Sequence, residues 1–468
     1  MTGPAQLELT LDAETRRSAD GRLLIGGSPF RIVRLSATGG RLLDRWLAGE
    51  PVPETGPAAG LARRLVRAGV AHPLWSTAEH AVDDVTIVIP VRDDPDGLAE
   101  TLTSLGEPGP LVVVDDGSED ADAVRSAADR TGATVLRRDR SGGPGVAREH
   151  GRTIVETPFV AFVDAGCRPE PGWLDGLLCH FVDPDVVVVA PRIRSVPGPT
   201  TLERYEVDGS PLDLGGRPAP VRPGSSVSYV PTAALVARAD APAFDPALRF
   251  GEDVDLIWRI VAGGGEVRYE PSVTVWHRPR SSWRAWAEQR RSYGSSAGPL
   301  STRHGAAVVP FVAPAISTTA WLLALAKRPG LAAVTAVGGM VAGLLKLHRS
   351  GVQPRVAVEV VATSQVRIVH AIARSTRRTW WPFALVALGR RGLRWRLLLA
   401  LLAPVLAETR RARPEVGVAR STVATIADDL AYGVGVWEGC IAAKTVRPLV
   451  PHLSLPEVPD AWRSNRAT

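Results

Sequence analysis

The sequence predicts an α/β protein in which a doubly wound, mostly parallel sheet is flanked by a small N-terminal domain and an apolar helical C-terminal region. Three observations predict this architecture: short apolar runs alternate with helical patterns in mid-chain, acids and glycines follow those runs, and long late stretches lack charge. A chain of 468 residues has room for about three domains of ~150 residues. We place them at residues 1–78, 84–300 and 301–468.

The N-terminal domain is predicted from two strand-like runs, residues 22–25 and 30–35, on either side of the turn 26–29. Helical periodicity follows at 40–47 and 58–68. A hairpin followed by short helices resembles the winged-helix domains that recognise peptides in ribosomal peptide pathways. The alternative is a small accessory domain that only packs on the next one.

The central domain is predicted from continuous apolar runs that suit buried parallel strands. The helix-like segment 98–105 lies between the first two runs and makes a βαβ unit. The runs cover residues 85–90, 111–116, 134–136, 159–164 and 186–190.

The C-terminal region contains three apolar segments, at residues 305–326, 331–345 and 397–407. The first is long enough to cross a hydrocarbon layer of ~30 Å, whereas the second is short for that purpose. The third contains Pro404 and suits an interfacial or re-entrant helix. We therefore predict a membrane-inserted hairpin, and the alternative is a set of buried helices in a soluble bundle.

The charge and the cysteine content of the chain indicate its binding partners and its cellular compartment. The chain carries a net charge of +6, and its late cations suit anionic lipid head groups or a phosphate-bearing ligand. We expect no nucleic acid partner, because no basic stripe interleaved with aromatic residues occurs. Three cysteines without a CxxC motif and a polar N-terminus predict a reduced protein, on the cytoplasmic side of the membrane or soluble in the cytoplasm. The late cations include Arg278 and Arg280, Arg377 and Arg378, and Arg390 and Arg391.

Polar residues follow three of the predicted strands, at residues 90–94, 115–118 and 164–167. Ligands of open α/β sheets bind outside the carboxyl ends of the strands, so these residues predict one shared polar site. The series, including the Asp-Asp-Gly-Ser at 115–118, resembles the family 2 glycosyltransferases of GT-A fold. That resemblance implies a nucleotide-sugar donor. The residues that it implies for donor binding are Pro90, Arg92, Asp93, Asp115, Asp116, Arg148 and Asp164.

Arg148 carries a separate physical reason, and Asp164 belongs to a motif of the family. Arg148 ends the glycine-rich stretch 141–148, where glycines let the backbone approach a ligand and a helix N-terminus favours phosphate. Asp164 stands where the family has Asp-x-Asp, which implies a divalent cation, Mn²⁺ or Mg²⁺. Gly166 replaces the second acid. His277 matches a position that contacts the metal or the diphosphate in several members of the family, so the resemblance implies Asp164 and His277 as the metal ligands. A histidine that closes a strand is otherwise an ordinary surface or core residue.

The segment 250–259 carries acids in the first turn of a predicted helix. An isolated Glu-Asp pair there only caps a helix, but the family resemblance implies that Asp253 is the general base and that Glu252 contacts the acceptor or assists. A carboxylate that deprotonates an acceptor hydroxyl supports a single inverting displacement.

The segment 283–294 resembles the acceptor-side helix of the family, without the complete Gln-x-x-Arg-Trp motif of long-chain polysaccharide synthesis. The acceptor-side residues that we predict are Trp286, Gln289, Arg290 and Tyr293.

The order of the three domains resembles the glycosyltransferases of the mycofactocin system. That resemblance implies β-linked glucose transfer from UDP-glucose to a peptide-derived redox cofactor, repeated to build a short oligosaccharide. One alternative is a membrane-associated transferase that uses a lipid or polyprenyl-phosphate acceptor. Another is a non-catalytic protein that binds nucleotide or peptide, since the second acid of Asp-x-Asp is missing.

Overall fold

The computed structural model describes residues 7–75, 80–106, 109–412 and 416–454. The chain divides into two compact units, Met1–Ser282 and Trp283–Thr468. The predicted domain ends at residues 78 and 468 lie outside the described residues. All three predicted domain limits remain predictions.

The first part of unit 1 forms two small sheets and two helices. Strands β3 and β4 pair antiparallel, which confirms the predicted hairpin, and β1 pairs with β5. Leu43, Trp46 and Leu65 bury their side chains in a common core, which holds the helices against the strands. The peptide-recognition role of this part stays a prediction. Its elements are β1 (Leu7–Leu11), β2 (Arg16–Arg17), β3 (Leu23–Gly26), β4 (Arg31–Arg34), α1 (Ala37–Leu47), α2 (Gly56–Arg67) and β5 (Ala71–Trp75).

The rest of unit 1 is an α/β domain around one large sheet. Its strands are β6 (Val85–Val91), β7 (Leu111–Asp115), β8 (Thr134–Arg137), β9 (Phe159–Val163), β10 (Cys167–Pro169), β11 (Val186–Ser195), β12 (Ala219–Pro220), β13 (Ala234–Arg238) and β14 (Glu266–His277). Its helices are α3 (Pro95–Leu105), α4 (Ala121–Ala128), α5 (Pro144–Arg152), α6 (Trp173–Leu178), α7 (Thr201–Gly209) and α8 (Glu252–Ala262).

The strand order is β10-β14-β11-β13-β9-β6-β7-β8, and β12 pairs with β14. Strands β9, β6, β7 and β8 run parallel, as predicted. The sheet as a whole is mixed, which corrects the prediction of a mostly parallel one. Strand β13 runs antiparallel between β9 and β11, and β10 and β12 are antiparallel to β14. Apolar runs reveal buried strands but carry no information about strand direction.

Unit 2 is helical apart from one short strand pair. Its helices are α9 (Trp283–Ser295), α10 (Ala297–His304), α11 (Ala315–Leu325), α12 (Pro329–Arg349), α13 (Pro354–Arg378), α14 (Trp381–Leu388), α15 (Arg391–Ala412) and α16 (Val418–Ala442). Strands β15 (Val312–Pro314) and β16 (His452–Ser454) run parallel. Helices α9 and α16 approach closely at glycines: a Cβ at Gly435 would lie 1.9 Å from the carbonyl oxygen of Arg291.

The apolar segments of unit 2 differ from the prediction in length. The segment 305–326 contains β15, so its helix α11 has only 11 residues. Proline explains the break, because Pro310 and Pro314 precede the helix and lack the backbone N–H that a helix needs. Helix α12 extends the predicted short segment to 21 residues. By length and composition, α12 and α13 are the two described helices that are long and apolar enough to cross a membrane.

Candidate active site

The predicted strand ends lie at one edge of the sheet. Because β6, β7 and β9 run parallel, the residues that follow them emerge on the same side. Asp115 ends β7, Asp116 follows it, and Asp164 follows β9. The backbone N–H of Asp116 donates to the carbonyl of Val91 at 2.9 Å, which joins the ends of β6 and β7.

Asp116 holds the glycine-rich loop that leads into α5. Its carboxylate accepts hydrogen bonds from the Ser141 hydroxyl at 2.7 Å and from the N–H groups of Gly142 and Gly143 at 3.0 and 2.9 Å. Arg138 Nε lies 2.9 Å from the same carboxylate. The loop also comes close to Gly117, where a Cβ would lie 2.9 Å from the Ser141 nitrogen. Asp116 thus fixes the position of the loop and of the helix N-terminus behind it.

Asp115 supports the loop from inside the fold. It is buried, accepts the N–H of Ser118 at 2.8 Å and forms an ion pair with Arg137. Pro90, one residue before the end of β6, pairs with Val114 across the sheet. Both residues therefore shape the strand ends, and neither is exposed at the edge of the site.

Arg92 and Asp93 lie on the solvent side of the same strand ends. Asp93 adopts a left-handed backbone (φ 52°), and its N–H donates to the Ser118 hydroxyl at 2.9 Å. One carboxylate oxygen of Asp93 accepts the N–H of Glu119 at 2.8 Å. Arg92 donates to the Ser141 hydroxyl at 3.2 Å. Both side chains are about half exposed, so they can reach a ligand above the sheet.

Arg148 connects the two acidic ends of the site. Its guanidinium is buried and donates to Asp164 at 2.5 Å and to Glu252 at 3.1 Å. The same group lies 5.7 Å from the ring centre of Phe244, whose N–H is held by Glu149. The structure thus brings together Arg148, Asp164 and Glu252.

Asp253 follows Glu252 in the first turn of α8. Burial raises its pKa to about 7, and the neighbouring Glu252 charge adds to that effect. Burial also raises the pKa of Glu252, against the opposing charge of Arg148. Asp253 accepts the N–H of Val254 at 2.8 Å, and no other described residue donates a hydrogen bond to its carboxylate. A partly exposed carboxylate with a pKa near neutrality suits a general base.

His277 ends β14, directly across from Cys167. Burial lowers the pKa of the His277 imidazole to about 4, although the nearby Asp164 carboxylate opposes that effect. The imidazole is therefore neutral at pH 7, and a neutral imidazole can donate an electron pair to a metal ion. Within the described part of the chain, no group of three or more His, Cys, Asp or Glu side chains is arranged to hold a metal ion.

Gly166 cannot easily carry the acid that the family has there. Its φ of 86° lies in the left-handed region, which favours glycine, and its N–H donates to the Thr101 hydroxyl at 3.0 Å. An ion pair that the sequence analysis missed lies nearby: Arg278 donates to both oxygens of Asp94 at 2.7 and 2.9 Å. Asp94 also caps α3 by accepting the N–H of Gly97. Only the helix cap was readable in the sequence.

The four predicted acceptor-side residues all belong to α9 and therefore to unit 2. Arg290 is buried, lies over the ring of Trp286 and donates to Asp428 at 3.0 Å. Gln289 accepts a hydrogen bond from Arg290 at 3.1 Å. The carbonyl of Tyr293 accepts the Ser296 hydroxyl. The contacts of Trp286 and Arg290 stabilise the interior of unit 2, and the acceptor role of all four stays a prediction.

Comparisons with known proteins identify the family of the chain. The family model described as glycosyl transferase family 2 matches residues 86–240, which contain the strand ends, the glycine-rich loop and Arg148. The chain is 38% identical over 477 residues to the pre-mycofactocin glycosyltransferase of two Mycobacterium tuberculosis strains, CDC 1551 / Oshkosh and H37Rv. That alignment covers 96% of this chain and 98% of the relative.

Two further matches are more distant. The succinoglycan biosynthesis protein ExoU of Rhizobium meliloti is 31% identical over 209 residues, which cover 40% of this chain and 60% of ExoU. Among solved structures, the mannosyltransferase PcManGT from Pyrobaculum calidifontis is 17% identical with a TM-score of 0.36, over 62% of this chain and 90% of that one.

The identity to the mycobacterial proteins extends over almost the whole length of both chains, well beyond the catalytic sheet. Together with the family match, it makes this chain an enzyme with a GT-A-like glycosyltransferase fold. The chain belongs to the pre-mycofactocin glycosyltransferase family, within the family 2 glycosyltransferases.

Proposed function

We propose that this glycosyltransferase moves glucose from UDP-glucose, with inversion to a β linkage, onto a peptide-derived redox cofactor of the mycofactocin type, one or several times. The relatives named pre-mycofactocin glycosyltransferase support the acceptor class. The observation that carries the chemistry is Asp253, a carboxylate with a pKa of about 7 beside the Arg148 cluster.

Asp253 is assigned as the base because its neighbour is already engaged. Glu252 is 7% exposed and is bound by Arg148, whereas Asp253 keeps a carboxylate oxygen that no described residue binds. In the reaction, this oxygen takes the proton of an acceptor hydroxyl while the hydroxyl oxygen attacks the anomeric carbon. The bond from that carbon to the diphosphate breaks, UDP leaves with the electron pair, and the configuration inverts.

The other residues position the donor. Arg92 and Asp93 lie half exposed where the nucleoside would bind, and Asp116 holds the loop 141–143 at the N-terminus of α5. A helix N-terminus favours phosphate, and we propose that the diphosphate lies near the N-terminus of α5. Arg148 holds Asp164 and Glu252 in place and contributes positive charge near the departing diphosphate.

A divalent cation fits the residues present. Asp164 offers a carboxylate that is one-third exposed, and His277 offers a neutral imidazole. Mg²⁺ is commonly held by one or two carboxylates together with substrate phosphates, so two protein ligands suffice when the donor completes the site. Mn²⁺ or Mg²⁺ bound there would neutralise charge on the diphosphate.

The N-terminal part of unit 1 is our candidate for binding a peptide-derived acceptor or its peptide precursor. Its strand β4 pairs only with β3 among the described strands, and a strand with one free edge can pair with an extended peptide. We propose a winged-helix-like recognition role for this part on that basis.

The proposal is tested by incubating the purified chain with UDP-glucose, Mn²⁺ or Mg²⁺ and the peptide-derived precursor, and following hexose additions by mass spectrometry. Asp253→Asn should lower the transfer rate by about 10² to 10⁴ while UDP affinity stays unchanged, because the base is lost but the donor site is intact. Asp240→Asn, an exposed carboxylate of the same unit, is the matched control. Full activity of Asp253→Asn would exclude Asp253 as the base.

A second candidate acceptor is a lipid or a polyprenyl phosphate. The observation that favours it is helix α12, which is long, apolar and exposed in unit 2. Hexose transfer to extracted lipid, combined with no transfer to the peptide-derived precursor, would replace the first acceptor with the second. UDP release that requires neither acceptor would contradict both.

A further inference from the structure

Helix α12 exposes an apolar stripe along its whole length. Its large apolar side chains recur every three or four residues, so they lie on one face of the helix, and each is at least 47% exposed. Ala332 is the one buried residue of this helix. The stripe consists of Leu331, Val334, Val337, Val341 and Leu345. Soluble proteins rarely leave so continuous an apolar surface uncovered.

A cluster of cations lies at the N-terminal end of this helix. Lys327 and Arg328 lie in the turn between α11 and α12. Arg390 lies in the turn between α14 and α15, and Arg391 is the first residue of α15. The two turns are adjacent, because Lys327 Nζ lies 2.9 Å from the position of a Cβ at Gly392. We call these four cations the cationic corner. All four are exposed, and no described carboxylate forms an ion pair with any of them.

Other late cations of the sequence are not available to a partner in this way. Arg377 and Arg378 are tied to Asp429, each through a hydrogen bond of 2.6 Å. Arg278 is bound by Asp94. The structure therefore separates cations that stabilise the fold from those that face outward.

Aromatic side chains accompany the cationic corner. Trp395 at the start of α15 is 76% exposed, and Phe383 on α14 is 62% exposed. Tryptophan and cations together are typical of the boundary between lipid head groups and hydrocarbon. At about 1.5 Å per residue, the 21 residues of α12 extend over about 32 Å, close to the ~30 Å of a hydrocarbon layer.

We propose that unit 2 attaches to an anionic lipid bilayer, with the apolar stripe of α12 in the hydrocarbon and the cationic corner among the lipid phosphates. The charge of this region selects that partner: between His304 and Ala407 the sequence contains one acidic residue, Glu359, among many cations. A second copy of the chain would bring like charges together, whereas anionic lipids neutralise them. The cytoplasmic leaflet of a cell membrane is anionic, so the proposal locates the protein at the cytoplasmic side of the membrane.

The test is flotation of the full chain with two kinds of vesicle. One contains phosphatidylcholine alone, and the other contains about 30% phosphatidylglycerol as well, because anionic lipid attracts juxtamembrane cations. The wild type should bind the anionic vesicles at least about tenfold more strongly. Arg390→Glu with Arg391→Glu should weaken binding to the anionic vesicles at least about 30-fold, since each lost cation accounts for about fivefold and each added carboxylate is repelled as well. Val334→Ser with Val341→Ser should weaken binding to both kinds of vesicle at least about tenfold, because less apolar surface is buried.

Arg420→Glu is the matched control, since Arg420 is an exposed arginine of the same unit outside the cationic corner. It should bind like the wild type, and far-UV circular dichroism should be the same for every variant. Equal binding of the wild type to both vesicle types would overturn the role of the cationic corner. The wild type could instead bind neither kind of vesicle and form a dimer in light scattering. If Val334→Ser with Val341→Ser dissociates that dimer, the stripe is a subunit contact and the proposal is wrong.

Discussion

Both units of the molecule bury arginines against carboxylates, yet only one of these clusters has the features of an active site. In unit 1, Arg148 binds Asp164 and Glu252. In unit 2, Arg377 and Arg378 bind Asp429, which is 2% exposed. The ion pairs themselves are of the same kind and of similar length.

The difference lies in what surrounds each cluster. The Arg148 cluster lies at the carboxyl ends of parallel strands, its Asp164 is one-third exposed, and Asp253 beside it has a pKa of about 7. Asp429 has both oxygens occupied and ties α13 to α16. A buried ion pair therefore indicates function only when an accessible titratable neighbour accompanies it.

The strongest test of this contrast removes one arginine from each cluster. Arg148→Met should destabilise unit 1 by about 3–5 kcal/mol, because the buried Glu252 loses its partner. Arg377→Met should destabilise unit 2 by less, because Arg378 still binds Asp429. Activity should separate them: Arg148→Met loses at least about 100-fold in turnover per folded molecule, by analogy with other positioned charges in active sites, and Arg377→Met keeps it. Hydrogen exchange of α5 and α13 in urea measures stability, and UDP release measures turnover. Loss of turnover in fully folded Arg377→Met would erase the distinction.

The next largest effect is expected on the stability of unit 2, where two glycine substitutions should act in opposite directions. Gly435→Ala should destabilise unit 2 by about 1–3 kcal/mol or more, because its Cβ would collide with the Arg291 carbonyl at the contact of α9 and α16. Gly338→Ala in α12 should instead stabilise the helix by about 0.5–1 kcal/mol, since no atom lies within 4 Å of the new Cβ. Thermal melting followed by circular dichroism checks both. Equal melting temperatures would mean that α9 and α16 are not packed this closely.

Inside unit 1, a substitution of Asp116 tests whether the glycine-rich loop contributes to donor binding. Asp116→Asn should weaken UDP binding about tenfold, because the amide nitrogen replaces one of the two oxygens that accept the N–H groups of Gly142 and Gly143. Calorimetric titration with UDP measures the change. Asp122→Asn on the exposed face of α4 is the control and should bind UDP like the wild type. Unchanged binding by Asp116→Asn would show that the loop does not need this carboxylate.

The smallest expected effect concerns pH. Transfer requires ionised Asp253, so the rate should fall about tenfold per pH unit below pH 7 and level off above it. Glu252→Gln removes a negative neighbour that raises the pKa of Asp253, so the midpoint of the rate profile should move to lower pH. The profile of kcat against pH measures it. A midpoint that stays in place would mean that Glu252 does not influence the base.

Much of the first unit could be predicted because its signals are local. The hairpin followed from a turn between two short runs, and strands β6, β7 and β9 followed from continuous apolar runs. The sequence also showed acids in the first turn of α8, and the family resemblance implied that Asp253 among them is the base. Strands β10, β12 and β13 were missed, and the sheet is mixed rather than mostly parallel because all three run antiparallel to their neighbours. The five residues of β13 offer no pattern that shows which strands they pair with.

The sequence by itself determined which residues stand at the strand ends and which segments are apolar, since both depend on neighbours along the chain. Only the tertiary structure decided which charges are paired. Arg148 pairs with Glu252, which is 104 residues away in the sequence, and Arg377 pairs with Asp429, which is 52 residues away. Arg390 and Arg391 pair with no described carboxylate. Ion pairs form between side chains that the fold brings within a few ångströms, and sequence spacing carries no measure of that distance.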